Sequence, residues 1–143
     1  MSRSPLKNPS ASQGFSLMEL MITVAIIGII AAIAVPSYNG YVLQSRRTDA
    51  VALLMEVAGE QVRFFSENNA YATNMTTLGY ANNAEPSENG HYTVSVTSTS
   101  SNVFTLTATP VGDQARDAVC ANFTLDSIGT KNISGSGTRA DCW

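Results

Sequence analysis

The chain is 143 residues long with a formal charge of −3; 44% of its residues are apolar, 8% aromatic and 13% charged, with two Cys and one His. The length allows one domain with at most an appendage, and so low a charge content argues against both a charged disordered protein and a basic nucleic-acid binder. The apolar residues are unevenly spread: Phe15 to Val35 holds 17 of them among 21 residues with one charge, Glu19, so a greasy segment is attached to a polar domain.

Residues 1–14 come first, with Arg3, Lys7, two Pro and no acidic residue, and read as a short basic leader. Positive charge beside a span stays in the cytoplasm, which predicts an N-terminus inside and everything beyond Val35 outside. Residues 15–35 follow as a membrane-spanning helix, because at about 1.5 Å per residue they reach about 31 Å, the thickness of a bilayer's hydrocarbon core. A secretory signal peptide has a shorter apolar run and a small-x-small cleavage site, which Ala32 and Ala34 fit only loosely. A soluble core helix apolar on every face would be hard to cover in so small a domain.

Glu19 stands out within this span. A carboxylate costs about 2.5 to 3.5 kcal/mol near the middle of a membrane helix and less toward its end, so it either snorkels to the interface or meets a cation. No Lys or Arg lies between Lys7 and Arg46. A cut just before Phe15 would create an α-amino group one turn from Glu19, able to pair within the chain or with a neighbouring copy. Gly28 and Pro36 weaken the same helix, since Gly lacks helix propensity and Pro36 cannot donate to the carbonyl of Ala32.

Residues 36–66 continue as the amphipathic half of one long helix. Ala50, Leu53, Leu54, Val57, Ala58, Phe64 and Phe65 recur at helical spacing, with Arg46, Arg47, Asp49, Glu56, Glu60 and Arg63 on the other face. Residues 67–91, rich in Asn, Ala, Thr and Gly, form a loop with a helical turn near Met75 to Leu78. Residues 92–143 alternate. Tyr92, Val94 and Val96 interleave with Thr and Ser, as do Phe104, Leu106 and Ala108, giving two antiparallel strands joined near residues 98–102. A third strand at Cys120 to Leu125 turns at residues 126–129 into a fourth near Thr130 to Ile133. The fold class is therefore α+β, one long helix on an antiparallel sheet of about four strands.

Cys120 and Cys142 form an even pair without CxxC spacing, which suits a structural disulfide in an oxidising compartment; with His91 they cannot fill a metal's tetrahedral shell. They close a C-terminal loop whose Ser134-Gly135-Ser136-Gly137 reads as a flexible tip. His91 has no nucleophile or carboxylate at a recognisable spacing and no glycine-rich phosphate loop is present, so neither a catalytic site nor a cofactor is expected.

Gly14-Phe15-Ser16-Leu17-Met18-Glu19, running on through Gly28 to Val35-Pro36-Ser37-Tyr38, resembles the class III signal and N-terminal helix of type IV pilins, in particular minor pilins of the PilE kind. The resemblance is strong over about residues 14–45 and looser beyond. It implies the pilin fold with a disulfide-closed C-terminal loop, cleavage by prepilin peptidase between Gly14 and Phe15, and N-methylation of Phe15. It also implies pairing of Glu19 with a neighbour's N-terminus and a flexible stretch between Gly28 and Pro36. The expected partners are other major and minor pilin subunits, the inner membrane and the pilus assembly platform. The location follows: a single-pass inner-membrane protein with a periplasmic C-terminal domain, then an extracellular pilus, or fimbrium, serving adhesion, twitching motility or DNA uptake. Two alternatives remain. A type II secretion pseudopilin shares the N-terminus, although Asp113, Asp117, Asp126 and Asp141 lack calcium-loop spacing. A DNA-binding competence pilin is less favoured because the net negative charge repels phosphate, leaving only a local patch at Lys131 and Arg139 to attract it.

Overall fold

A computed structural model describes residues 14–100 and 102–143. The basic leader with Arg3 and Lys7 lies outside the described residues except for Gly14. Two compact units divide at Tyr38 and Asn39. One helix, α1, is assigned over Leu17–Asn68.

In the first unit α1 begins where Ser16 accepts the Glu19 N–H on its Oγ at 3.2 Å. Ser16 thereby caps the helix, which starts two residues later than the sequence predicts. The helix runs through Gly28 and Pro36 without interruption. Its most apolar 18-residue window has a mean hydropathy of 2.5, and none of it is buried.

The second unit is a helix on a five-stranded sheet. Strands β1 (Glu85–Pro86), β2 (Tyr92–Ser100), β3 (Val103–Pro110), β4 (Phe123–Asp126) and β5 (Lys131–Ile133) lie in sequence order, every neighbouring pair antiparallel. The sheet has one strand more than the sequence predicts. β1 falls in the expected loop because two residues, one of them Pro, carry no alternation to read, and Pro is tolerated at a sheet edge. The third strand starts at Phe123 rather than Cys120, since Ala121 takes a positive φ of 50° and breaks the extended run. The predicted turn in the loop is a single 3-10 turn, Thr76–Leu78, ended by Gly79 at φ 97°.

The alternation places Tyr92, Val94, Leu106, Ala108, Phe123 and Leu125 in one core with Ala50, Leu53, Leu54 and Val57 of α1. Phe64 and Ala58 pack at its edge. Two charged residues assigned to the solvent face of α1 are instead held inward by partners far along the chain. Asp49 is 8% exposed and accepts from Ser87 Oγ at 2.5 Å and Asn89 Nδ2 at 3.1 Å, which ties the loop before β2 to the helix. Burial pushes the Asp49 carboxyl up, but bonds from Ser87, Asn89 and the His91 N–H outweigh it and hold it below its ordinary value. Arg47 forms an ion pair with Asp117. A buried Gln61 performs a similar task, donating to the Ala72 carbonyl at 3.0 Å and accepting its N–H at 2.9 Å.

Ser134-Gly135-Ser136-Gly137 is not a free tip. The N–H groups of residues 134–137 donate to the carbonyls of Asn122, Cys120, Ala118 and Val119 at 2.8 to 3.1 Å. The approach is so close that a Cβ on Gly135 would sit 2.2 Å from the Val119 carbonyl oxygen. Glycine here serves the contact with neighbouring backbone. Gly135→Ala should therefore push two segments apart and lower stability by about 1 to 3 kcal/mol, read as an earlier thermal transition, whereas Ser136→Ala should cost far less.

Candidate functional site at the C-terminal loop and the N-terminal helix

Five of the sequence-predicted site residues lie in the first unit, Gly14, Phe15, Glu19, Gly28 and the exposed Pro36. Phe15 is 83% exposed and Gly14 and Glu19 are exposed; Gly28 has open space around it, with nothing within 4 Å of an added Cβ. Glu19 sits in the first turn of α1, where the positive end of the helix dipole favours a carboxylate. Ser16-Leu17-Met18-Glu19 is a Ser-x-x-Glu capping sequence. That signal was present in the sequence and gives Glu19 a local helix-starting context besides any pairing.

The C-terminal loop is built around the disulfide. Cys120 and Cys142 are bonded, with Cα atoms 5.8 Å apart and 22 positions between them. Cys142 ends the short helix α2 (Arg139–Cys142), so the bond fixes where Arg139 and the following Trp143 lie. Trp143 donates through Nε1 to the Asn132 carbonyl at 3.0 Å and meets Phe123 edge to face at 5.6 Å. Lys131 Nζ stands 4.9 Å from the centre of its ring, a cation-π contact. Arg139 Nη1 reaches the Lys131 carbonyl at 3.4 Å.

Lys131, Arg139 and Trp143 thus converge from β5 and α2. With Thr130 and Ile128 they line a shallow open depression of about 540 Å³. Among the described residues, the ion pairs engage Arg47, Arg63 and Arg116, which leaves Lys131 and Arg139 without a carboxylate of their own. Asp126, the acidic residue nearest in sequence to Lys131, turns inward: its Oδ1 accepts the N–H groups of Thr130 at 2.7 Å and Ile128 at 3.1 Å. Slight burial pushes its carboxyl up, yet these bonds hold it below the ordinary value, so it stays a charged clamp for its own turn. Lys131 and Arg139 were legible as a patch from sequence. The part of Trp143 was not, because it depends on the disulfide and the long-range contacts that bring α2 against β5.

A lone helix that is apolar on every side, followed by a helix-on-sheet unit with a disulfide-closed C-terminus, defines a type IV pilin. A family model described as type IV minor pilin ComP, DNA uptake sequence receptor, matches residues 36–124, more than half of the chain, and the chain belongs to that family. A second model, the prokaryotic N-terminal methylation motif, matches residues 9–35. The type IV major pilin protein PilA of Myxococcus xanthus is 41% identical over 70 residues, 49% of this chain and 32% of that protein. The fimbrial protein EcpC of Eikenella corrodens is 38% identical over 84 residues, 59% of this chain and 52% of that protein. The chain therefore aligns with about a third to half the length of these curated relatives. A type IV pilin structure from Shewanella oneidensis, 27% identical, superposes with a TM-score of 0.51 over 71% of this chain and 97% of the other.

Proposed function

We propose that the chain is a structural subunit of a type IV pilus, of the minor kind, held in the inner membrane by residues 15–35 with its C-terminal unit in the periplasm and then passed into a surface filament. One observation carries this reading. The described helix up to Val35 is apolar all round and exposed throughout, so it needs lipid or other such helices around it. The methylation-motif match supports cleavage by prepilin peptidase between Gly14 and Phe15 and methylation of the new Phe15 amine. Glu19 then pairs with the amine of a neighbouring subunit, and the stretch from Gly28 to Pro36 supplies the give that filament packing requires. The relatives found are pilins and fimbrial proteins, and no observation favours the secretion pseudopilin. Filaments sheared from cells should contain the chain with a mass that begins at methylated Phe15. An intact Met1, or cleavage after Ala34, would overturn the reading.

A second activity, DNA binding, is favoured by one specific arrangement, the pair of uncompensated cations at Lys131 and Arg139 beside Trp143. The description of the family as a DNA uptake sequence receptor supports it, although the matched stretch stops at Thr124 and the patch lies beyond. The patch stands on its own geometry, and it is small. Labelled duplex added to the full chain in detergent should bind weakly and with a salt dependence of about one unit of log–log slope per phosphate engaged. Lys131→Ala and Arg139→Ala should each remove about one unit. A binding curve that ignores salt and both substitutions would leave only the filament role.

A further inference from the structure

This inference rests on the DNA reading and concerns how the same patch engages its ligand. Ile128 is 86% exposed, the most exposed large apolar side chain among the described residues. A single exposed apolar residue is ordinary on a protein surface. What distinguishes Ile128 is its mounting and its neighbours. It sits at the tip of the turn between β4 and β5, on the rim of the depression that holds Lys131 and Arg139. That turn is stiff. Asp126 exchanges bonds with Thr130, accepting its N–H on Oδ1 and donating its own N–H to the Thr130 carbonyl at 3.2 Å; Gly129 N–H returns to the Asp126 carbonyl at 3.0 Å, and Ser127 N–H to the Phe104 carbonyl at 3.0 Å. The next residue, Gly129, holds a positive φ of 83° and adds no side chain, so the tip is narrow.

The aromatic ring in the patch is already committed. Trp143 has Lys131 over its ring, Phe123 against it and its Nε1–H on Asn132, so the ring is engaged by the protein's own groups. The free apolar group is aliphatic. Single-strand binders work by stacking bases on open aromatic faces, whereas an aliphatic side chain beside cations matches the wedge that enters a duplex from its minor groove. That groove is about 6 Å wide and admits a slim turn but not a helix or a ribbon. We propose that Ile128 inserts between adjacent base pairs from the minor groove of bound duplex DNA while Lys131 and Arg139 take the flanking phosphates, so that the duplex is bent where the protein holds it.

The test uses the full chain in detergent micelles and a duplex of about 25 base pairs carrying a donor and an acceptor dye at its ends, with affinity followed by anisotropy. The parent should shorten the end-to-end distance, corresponding to a bend of about 20° or more. Ile128→Ala should abolish the bend and weaken binding about tenfold with the salt slope unchanged, and Ile128→Leu should restore both. Lys131→Ala should do the reverse, lowering the salt slope while saturated complexes stay bent. Because Ile128 is solvent-exposed, its replacement does not endanger the fold. Salt-dependent binding to a straight duplex, or an Ile128→Ala chain that bends DNA like the parent, overturns the wedge and leaves DNA binding standing. Loss of filament incorporation in Ile128→Ala with DNA bending intact assigns the side chain to a protein contact and also overturns it. Absence of any DNA binding by the parent overturns both readings together.

Discussion

Arg47→Ala is expected to destabilise the C-terminal unit by about 3 to 5 kcal/mol, lowering its thermal midpoint on the order of 20 °C when unfolding of the full chain in detergent is followed through Trp143 fluorescence. Asp117 is only 1% exposed at its side chain and receives Arg47 through two bonds, Nε at 2.7 Å and Nη2 at 3.0 Å. Removing the guanidinium leaves a carboxylate inside the protein with the N–H groups of Val119 and Cys120, at 3.2 and 3.3 Å, and a distant Gln114 amide as remaining donors. The loss comes from stranding that charge, since an intact buried pair adds little net stability over an apolar pair of the same size. The double replacement Arg47→Met with Asp117→Leu should therefore recover part of what Arg47→Ala loses. Recovery stays incomplete, because Asp117 also caps the backbone leading to Cys120. A midpoint for Arg47→Ala within a few degrees of the parent would show that water reaches Asp117 and stands in for the guanidinium.

Glu19→Val should insert into the membrane, be processed and accumulate there, yet fall by about a hundredfold or more in sheared filaments. That magnitude follows from breaking a desolvated charge pair at about 3 to 5 kcal/mol per subunit. Insertion itself is eased by the loss of a carboxylate from an apolar helix. The position of Glu19 in the first turn, three residues after Ser16, sets up a competing account in which it merely starts the helix. Glu19→Gln separates the two. Glutamine keeps the capping sequence and loses the charge, so exclusion of Glu19→Gln from filaments assigns the effect to pairing with a neighbour's amine. Normal incorporation of Glu19→Gln together with failure of Glu19→Val would assign it to the cap, and normal incorporation of both would reduce Glu19 to a residue that snorkels.

The second half of the long helix and strands β2 and β3 were readable because each obeys one period over many residues and buries one face, and the first half of the helix because its apolar run is unbroken but for a few polar residues. Tyr92, Val94, Leu106 and Ala108 alternate with Ser and Thr, and that pattern fixes both register and inward side. Features resting on a partner elsewhere in the chain were not readable. Arg47 and Asp49 look like solvent-facing charges until Asp117 and Ser87, 70 and 38 residues away, are brought beside them. β1 exists only because β2 offers it an edge. The glycines at 135 and 137 resemble a mobile linker in composition, and only the carbonyl of Val119 pressed against them shows that they are there for lack of a side chain. At the candidate site, Lys131 and Arg139 were visible as charges in one loop. Their meeting beside Trp143 depends in part on a covalent bond whose geometric effect no periodicity encodes.

The order of strands in the sheet carries a kinetic consequence. Each strand pairs with the one just before it in the chain, so the sheet has low contact order and its pairings form quickly. Thiol oxidation is slower, taking seconds to hours depending on the oxidant and isomerase. A complete sheet therefore exists before Cys120 and Cys142 are joined, and in that interval α2 is held only by noncovalent contacts such as those of Trp143 with Phe123 and Asn132. The basic patch is thus the last part of the molecule to become rigid, and thiol oxidation, more than the pairing of the strands, sets when Arg139 is locked beside Lys131.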